Sequence, residues 1–90
     1  MSMELINLAK SAVKTEITAD EFEIKFFERW RLEGDSGALA KDSKSVADCL
    51  YVIFDLAERY TSHSDRESYE LDEGTLRAEL EKTLKEHGFL

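Results

Sequence analysis

Proline is absent from this 90-residue chain, and only four glycines occur in it. That composition suits long helices and short turns better than a multi-stranded sheet. The single cysteine, Cys49, excludes an internal disulfide and fits a reducing compartment. It lies at the border of an apolar helix face, with Asp48 and Lys44 as its charged neighbours. A half-buried structural thiol is expected there, not an activated nucleophile. No basic segment followed by an apolar run opens the chain, and no apolar stretch approaches membrane-spanning length. A soluble, cytoplasmic protein is the expectation. Positive charge is also scarce, with 12 Lys and Arg against 20 Asp and Glu and a net charge of −8. Such a field repels nucleic acid and anionic membranes and steers basic partners inward. Solubility alone is the bland account of the same charge.

Hydrophobic residues make up 42% of the chain, enough for one modest core, so residues 1–90 form a single domain. Leu5, Leu8, Ala9 and Ala12 recur at helical spacing, with Ile6 and Val13 widening the stripe, and predict a first helix over 3–15. Thr18 and Glu21 have the spacing of a capping box, and Ile17 can pack on Phe22 as a hydrophobic staple. The second helix carries Phe22, Ile24, Phe26, Phe27 and Trp30 over a broad arc read as core, and should fade by Gly34. Residues 33–42 read as a loop pinned by Leu39.

Ser43 or Ser45 caps a third helix, and Asp48 is spaced to complete a box with Ser45. This helix should end near Thr61. The segment 62–73 loses its period, with Tyr69 and Leu71 as apolar anchors and room for a helical turn over 64–67. Thr75 then starts a last helix on a Leu76, Leu80 and Leu84 stripe, with Glu81 and Lys85 paired on its surface. Gly88 is a natural terminator, after which Phe89 and Leu90 can fold back on the core. Short connections between four helices predict an all-α, antiparallel four-helix bundle.

The chain is organised around 48–72. On the third helix Val46, Leu50, Ile53, Phe54 and Ala57 fall on one side, and Asp48, Tyr51, Asp55, Glu58 and Ser62 on the other. Asp65, Glu67, Glu70, Asp72 and Glu73 follow. One flank anchors a core, and the other shows water a row of carboxylates with an aromatic among them.

Searches for chemistry come back thin, and no catalytic residue is assigned. His63 and His87 stand in different segments and begin no metal-ligand pattern, and loop acids beside His63 read as solvated, so no metal or cofactor is expected. The segment GDSGAL, with Ser36, faintly resembles the prosthetic-group serine of acyl carrier proteins. There an apolar residue opening a helix follows the serine directly, whereas here Gly37 intervenes. What remains is recognition: carboxylates and a tyrosine on a rigid helix complement a basic cleft.

At these residues the sequence resembles the colicin D immunity family of bacteriocin-immunity proteins. The likeness spans most of the chain: INLAK near the start, ITADEFE at the second helix, ERWRLEG at its end, and AER followed by DRESYELDEGTLRAELEKTL. The resemblance implies an inhibitor, not an enzyme. Its toxins are nucleases, that of colicin D cutting arginine transfer RNAs in the anticodon loop, and the acids of the immunity protein occupy the RNA's place in the basic cleft. It also implies that Glu58, in AER, matches a carboxylate facing the toxin's catalytic histidine region, and that Asp65, in the DR pair, is the next matching acid. His63 stands where the family pattern carries a further acid, and Thr61 also replaces one, which leaves the cognate toxin open. A toxin delivered by contact-dependent inhibition is equally allowed.

The expectation is a one-to-one complex with a toxin domain, formed by a protein that is monomeric when free. Asp48, Tyr51, Asp55, Glu58, His63, Asp65, Glu67 and Asp72 are its toxin-binding residues. Two alternatives stand beside it: an immunity protein of the DNase-colicin type, and an acyl-carrier-like protein modified on Ser36. An acidic bundle with an unrelated binding role is the bland reading.

Overall fold

The computed structural model describes residues 3–36 and 44–90, with residues 35 and 36 as backbone. Four helices occur among them: α1 (Met3–Val13), α2 (Ala19–Ser36), α3 (Lys44–Arg59) and α4 (Glu73–Glu86). Together they make an all-α four-helix bundle. The expectations placed on Leu39 and Ser43 lie outside the described residues.

Three long-range contacts fix the helix directions. Arg29, late in α2, pairs with Glu4 at the start of α1 (3.1 Å). Tyr60, just past α3, bonds Asp20 at the start of α2 (2.7 Å). Arg77, early in α4, donates to the Ala12 carbonyl at the end of α1 (2.9 Å). Each pair joins the end of one helix to the beginning of another, so these neighbours run antiparallel.

The core is the sum of the predicted stripes. Leu5, Ile6, Ala9 and Ala12 of α1, Leu50, Ile53 and Ala57 of α3, and Leu76, Leu80 and Leu84 of α4 are buried around Phe22 and Phe26 of α2. From Phe26 a ladder of rings runs outward: Trp30 lies 5.7 Å from Phe26, Phe54 4.6 Å from Trp30, and Phe27 5.3 Å from Phe54. Fully burying one ring, as for Phe22 and Phe26, stabilises by roughly 2–3 kcal/mol, and a surface ion pair by at most about 1. The rings therefore hold the bundle more than its i,i+4 salt bridges do.

Helix ends follow local chemistry. At α2 the capping box forms, with the Glu21 amide donating to Thr18 Oγ1 (3.1 Å) and the Thr18 amide donating to the Glu21 carboxylate (3.2 Å). At α4 the Gly88 amide donates to the Lys85 carbonyl (3.2 Å) and the Phe89 amide to the Leu84 carbonyl (2.8 Å). With Gly88 at φ +81°, this is a Schellman motif, and Phe89 packs back on the core.

Several expectations need correction. Ile24 is 63% exposed, because it sits about 200° around the helix from Phe22 and turns away from the core. Helix α2 continues to Ser36, past Gly34, with the Glu33 carboxylate buried against Arg29 (3.0 Å). Ser36 thus lies in a helix that began at Ala19, unlike the helix-opening serine of a carrier protein. The Ser45 box does not form: Lys44 is already helical, and Asp48 pairs with Lys44 instead (2.7 Å). Cys49 is fully buried, and burial pushes its thiol up to about 11. Helix α3 stops at Arg59, two residues early, where Tyr60 leaves the helix to bridge Leu71. Residues 64 and 65 form a bend, and 64–67 hold no helical turn. Helix α4 opens at Glu73, because Asp72 is the cap, where Thr75 was expected to start it.

Candidate toxin-binding face

Helix α3 buries Cys49, Leu50, Ile53, Leu56 and Ala57 and turns Asp48, Tyr51, Asp55 and Glu58 to solvent. A period of 3.6 residues places Tyr51, Asp55 and Glu58 in one row, with Asp48 and Val52 beside it. Tyr51 is 67% exposed, yet its ring meets the edge of Trp30 at 6.0 Å. The ladder of rings beneath thus carries an outward-facing aromatic on a rigid support.

The segment 61–72 is a closed loop. The Thr61 amide donates to the Leu71 carbonyl (3.0 Å), and the Leu71 amide donates to the Arg59 carbonyl (2.7 Å), joining its two ends. Inside it, Arg66 donates through Nε and Nη2 to the Thr61 carbonyl (3.3 and 3.2 Å), and the His63 amide donates to Thr61 Oγ1 (3.2 Å). The Glu70 carboxylate accepts from the Glu67 amide (2.8 Å). His63, Asp65 and Glu67 ride on this frame, all exposed. Tyr69, expected as a core anchor, is 62% exposed; what is anchored is its carbonyl, which accepts from Arg59 Nε (2.8 Å).

The face holds Asp48, Asp55, Glu58, Asp65, Glu67, Glu70, Asp72 and Glu73, with Arg59 and Arg66 among them, Lys44 paired to Asp48 and Arg77 paired to Glu73 (2.7 Å each) at its ends. Arg59 and Arg66 donate to backbone carbonyls of the loop, so they offset only part of this charge. The carboxylates accordingly differ. Asp48 is paired with Lys44, and Asp55 with Arg59 (3.3 Å). Asp72 caps α4, its Oδ1 accepting from the Thr75 amide (2.8 Å), and that bond holds its carboxyl below the usual range. Among the described residues, no hydrogen bond or ion pair engages the side chains of Glu58, Asp65 or Glu67. They are the acids most open to a cationic partner.

Sequence reasoning missed Arg59 and Tyr60. Tyr60 extends the Ile53 and Leu56 series by four residues, and Arg59 follows Asp55 by four, so both signals were present. Among the described residues no cluster of three or more His, Cys, Asp or Glu side chains is arranged to hold a metal ion, and no helix is long and apolar enough to cross a membrane.

No match was found among curated proteins. A family model described as bacterial self-protective colicin-like immunity matches residues 1–86. That span takes in all four helices and the acidic loop, and the chain belongs to this family of colicin-like immunity proteins, which protect against a toxin.

Proposed function

We propose that the protein neutralises the nuclease domain of its cognate toxin, a transfer-RNA nuclease, by placing the α3 face and the 61–72 loop in the toxin's basic active-site cleft. The inhibitor performs no chemistry. Its carboxylates take the positions of RNA phosphates, in a one-to-one complex.

One observation supports this reading: Glu58, Asp65 and Glu67 project from an ordered helix end and loop with no hydrogen bond or ion pair on their side chains, the nearby Arg59 and Arg66 being engaged by loop carbonyls. A backbone ordered before encounter adds no loop-ordering cost on binding, and the field of its carboxylates speeds approach to a basic surface. Asp48 and Asp55 exchange exposed partners worth at most about 1 kcal/mol each, so a toxin lysine or arginine can recruit them at small cost. Tyr51 provides apolar area for the centre. His63 adds a donor where the resembling family has an acid, which tunes the choice of toxin.

The test uses the C-terminal nuclease domain of a candidate cognate toxin, sought first in the adjoining open reading frame. Equimolar protein should abolish its cleavage of transfer RNA and displace a labelled anticodon stem-loop from a catalytically dead variant. Cleavage of DNA in place of RNA would favour the DNase-type alternative. Inhibition without displacement of the stem-loop would overturn substrate mimicry.

A further inference from the structure

Arg59 is the last residue of α3, and its guanidinium serves two elements at once. Nη1 reaches Asp55 on its own helix (3.3 Å), and Nε reaches the Tyr69 carbonyl across the loop (2.8 Å). The Tyr69 backbone is therefore held across the guanidinium from Asp55, and Asp55 lies one turn on from Tyr51 and Val52. All three apolar residues are exposed, Val52 at 42%. Val52, Asp55 and Arg59 follow at three- and four-residue spacing, so the clamp lies on the same line of the helix as the valine. Asp48 lies one turn before Tyr51, Glu58 one turn after Asp55, and the loop acids follow the end of α3.

We propose that Arg59 is a positioning residue that assembles the apolar centre of the docking surface, holding the Tyr69 backbone across from Asp55 so that Tyr51, Val52 and Tyr69 form one patch on which a basic toxin domain closes. The inference rests on the reading that this face meets the toxin, and it adds Tyr69, Val52 and Arg59 to the site. An apolar centre inside a charged rim is the usual anatomy of a specific interface, and tyrosines anchor such centres at small entropic cost. The rim selects the occupant. A second copy of this chain, at net charge −8, would bring carboxylates against carboxylates, whereas a basic domain would pair with them.

Dissociation of the toxin domain is to be measured for Tyr69→Ala, Arg59→Lys, their combination and Glu58→Gln, with thermal unfolding followed in parallel. Tyr69→Ala keeps the clamped carbonyl and removes an exposed ring, so the fold should be untouched while dissociation accelerates about tenfold or more. Association, set by charge, should change little. Arg59→Lys retains the charge but not the planar fork that reaches both partners. It should accelerate dissociation in the parent and add little when Tyr69 is already alanine. Additive effects would show that Arg59 does not act through Tyr69 and would overturn the assignment. If Glu58→Gln weakens binding and Tyr69→Ala does not, the patch is wrong and the acidic face stands. If no variant alters binding, the reading of the face fails and takes the patch with it. Dimers of the free protein that Tyr69→Ala abolishes would assign the patch to self-association and overturn the proposal.

Discussion

The phenol of Tyr60 donates a 2.7 Å hydrogen bond to the Asp20 carboxylate, tying the residue after α3 to the first turn of α2. Tyr60 is also half of the Tyr60–Leu71 bridge that closes the acidic loop. One buried side chain therefore couples the core to the base of the candidate site.

Removing that hydroxyl with Tyr60→Phe should cost about 1–2 kcal/mol in denaturant unfolding, because the acceptor is charged. The pH dependence is specific. Burial, then the bond to Asp20 and the negative charges of Asp20, Glu73 and Glu23, raise the phenol above its ordinary value of 10.0. A raised folded value means the unfolded state releases the proton first. The contribution of Tyr60 is therefore complete below pH 10 and lost as pH climbs beyond it. Unfolding curves at pH 8 and pH 11 should show a smaller gap between wild type and Tyr60→Phe at the higher pH; a gap independent of pH would deny the bond this role.

Thr15 ends α1 with a φ of +60°, a conformation unfavourable for a β-branched residue. Its amide donates to the Ala12 carbonyl (3.1 Å) and that of Glu16 to the Ser11 carbonyl (2.9 Å), the same Schellman pattern that Gly88 occupies without strain. The side chain is exposed, so its removal loses no packing, only the solvent-exposed bond that Oγ1 donates to the Lys14 carbonyl (2.6 Å). Thr15→Gly should stabilise by about 1 kcal/mol, the relief of left-handed strain less the added freedom of the unfolded chain. Chemical denaturation measures it, and a loss of stability would contradict the assignment.

Cys49 should behave as a core residue. A rise from 9.0 to about 11 lowers its thiolate population about a hundredfold at neutral pH, and full burial hinders reagent access further. Labelling with a disulfide reagent should be at least about a hundredfold slower in native protein than in urea. Equal rates would place the thiol at the surface.

How much of this was legible depended on what each signal measures. Periodicity located the stripes of α1, α3 and α4, and spacing alone found the Thr18–Glu21 box, because these are properties of neighbours on one helix. Ile24 shows the limit: counting rings and aliphatics along α2 overlooked its angle, which spacing does encode. The sequence reads Asp72 as a binding acid and Thr75 as the start of α4, whereas Asp72 is the cap and Glu73 the first helical residue, a choice that backbone geometry decides. Tyr69 was the deeper miss. Nothing local announces that an arginine ten positions earlier captures its carbonyl and turns its ring outward. Contacts between distant segments, Arg77 on Ala12 and Tyr60 on Asp20 included, belong to the packed structure.

The most direct test of the account compares two charge reversals of equal size. Glu58→Lys alters the α3 face, whereas Glu28→Lys alters an exposed acid along the open groove between α1 and α2. Both change the net charge identically, so nonspecific attraction shifts alike, and only a local contact separates them. Calorimetric titration against the toxin domain should give a Kd at least about a hundredfold weaker for Glu58→Lys, and within about threefold of wild type for Glu28→Lys. Equal losses in the two variants would mean that general acidity, not the α3 face, captures the toxin.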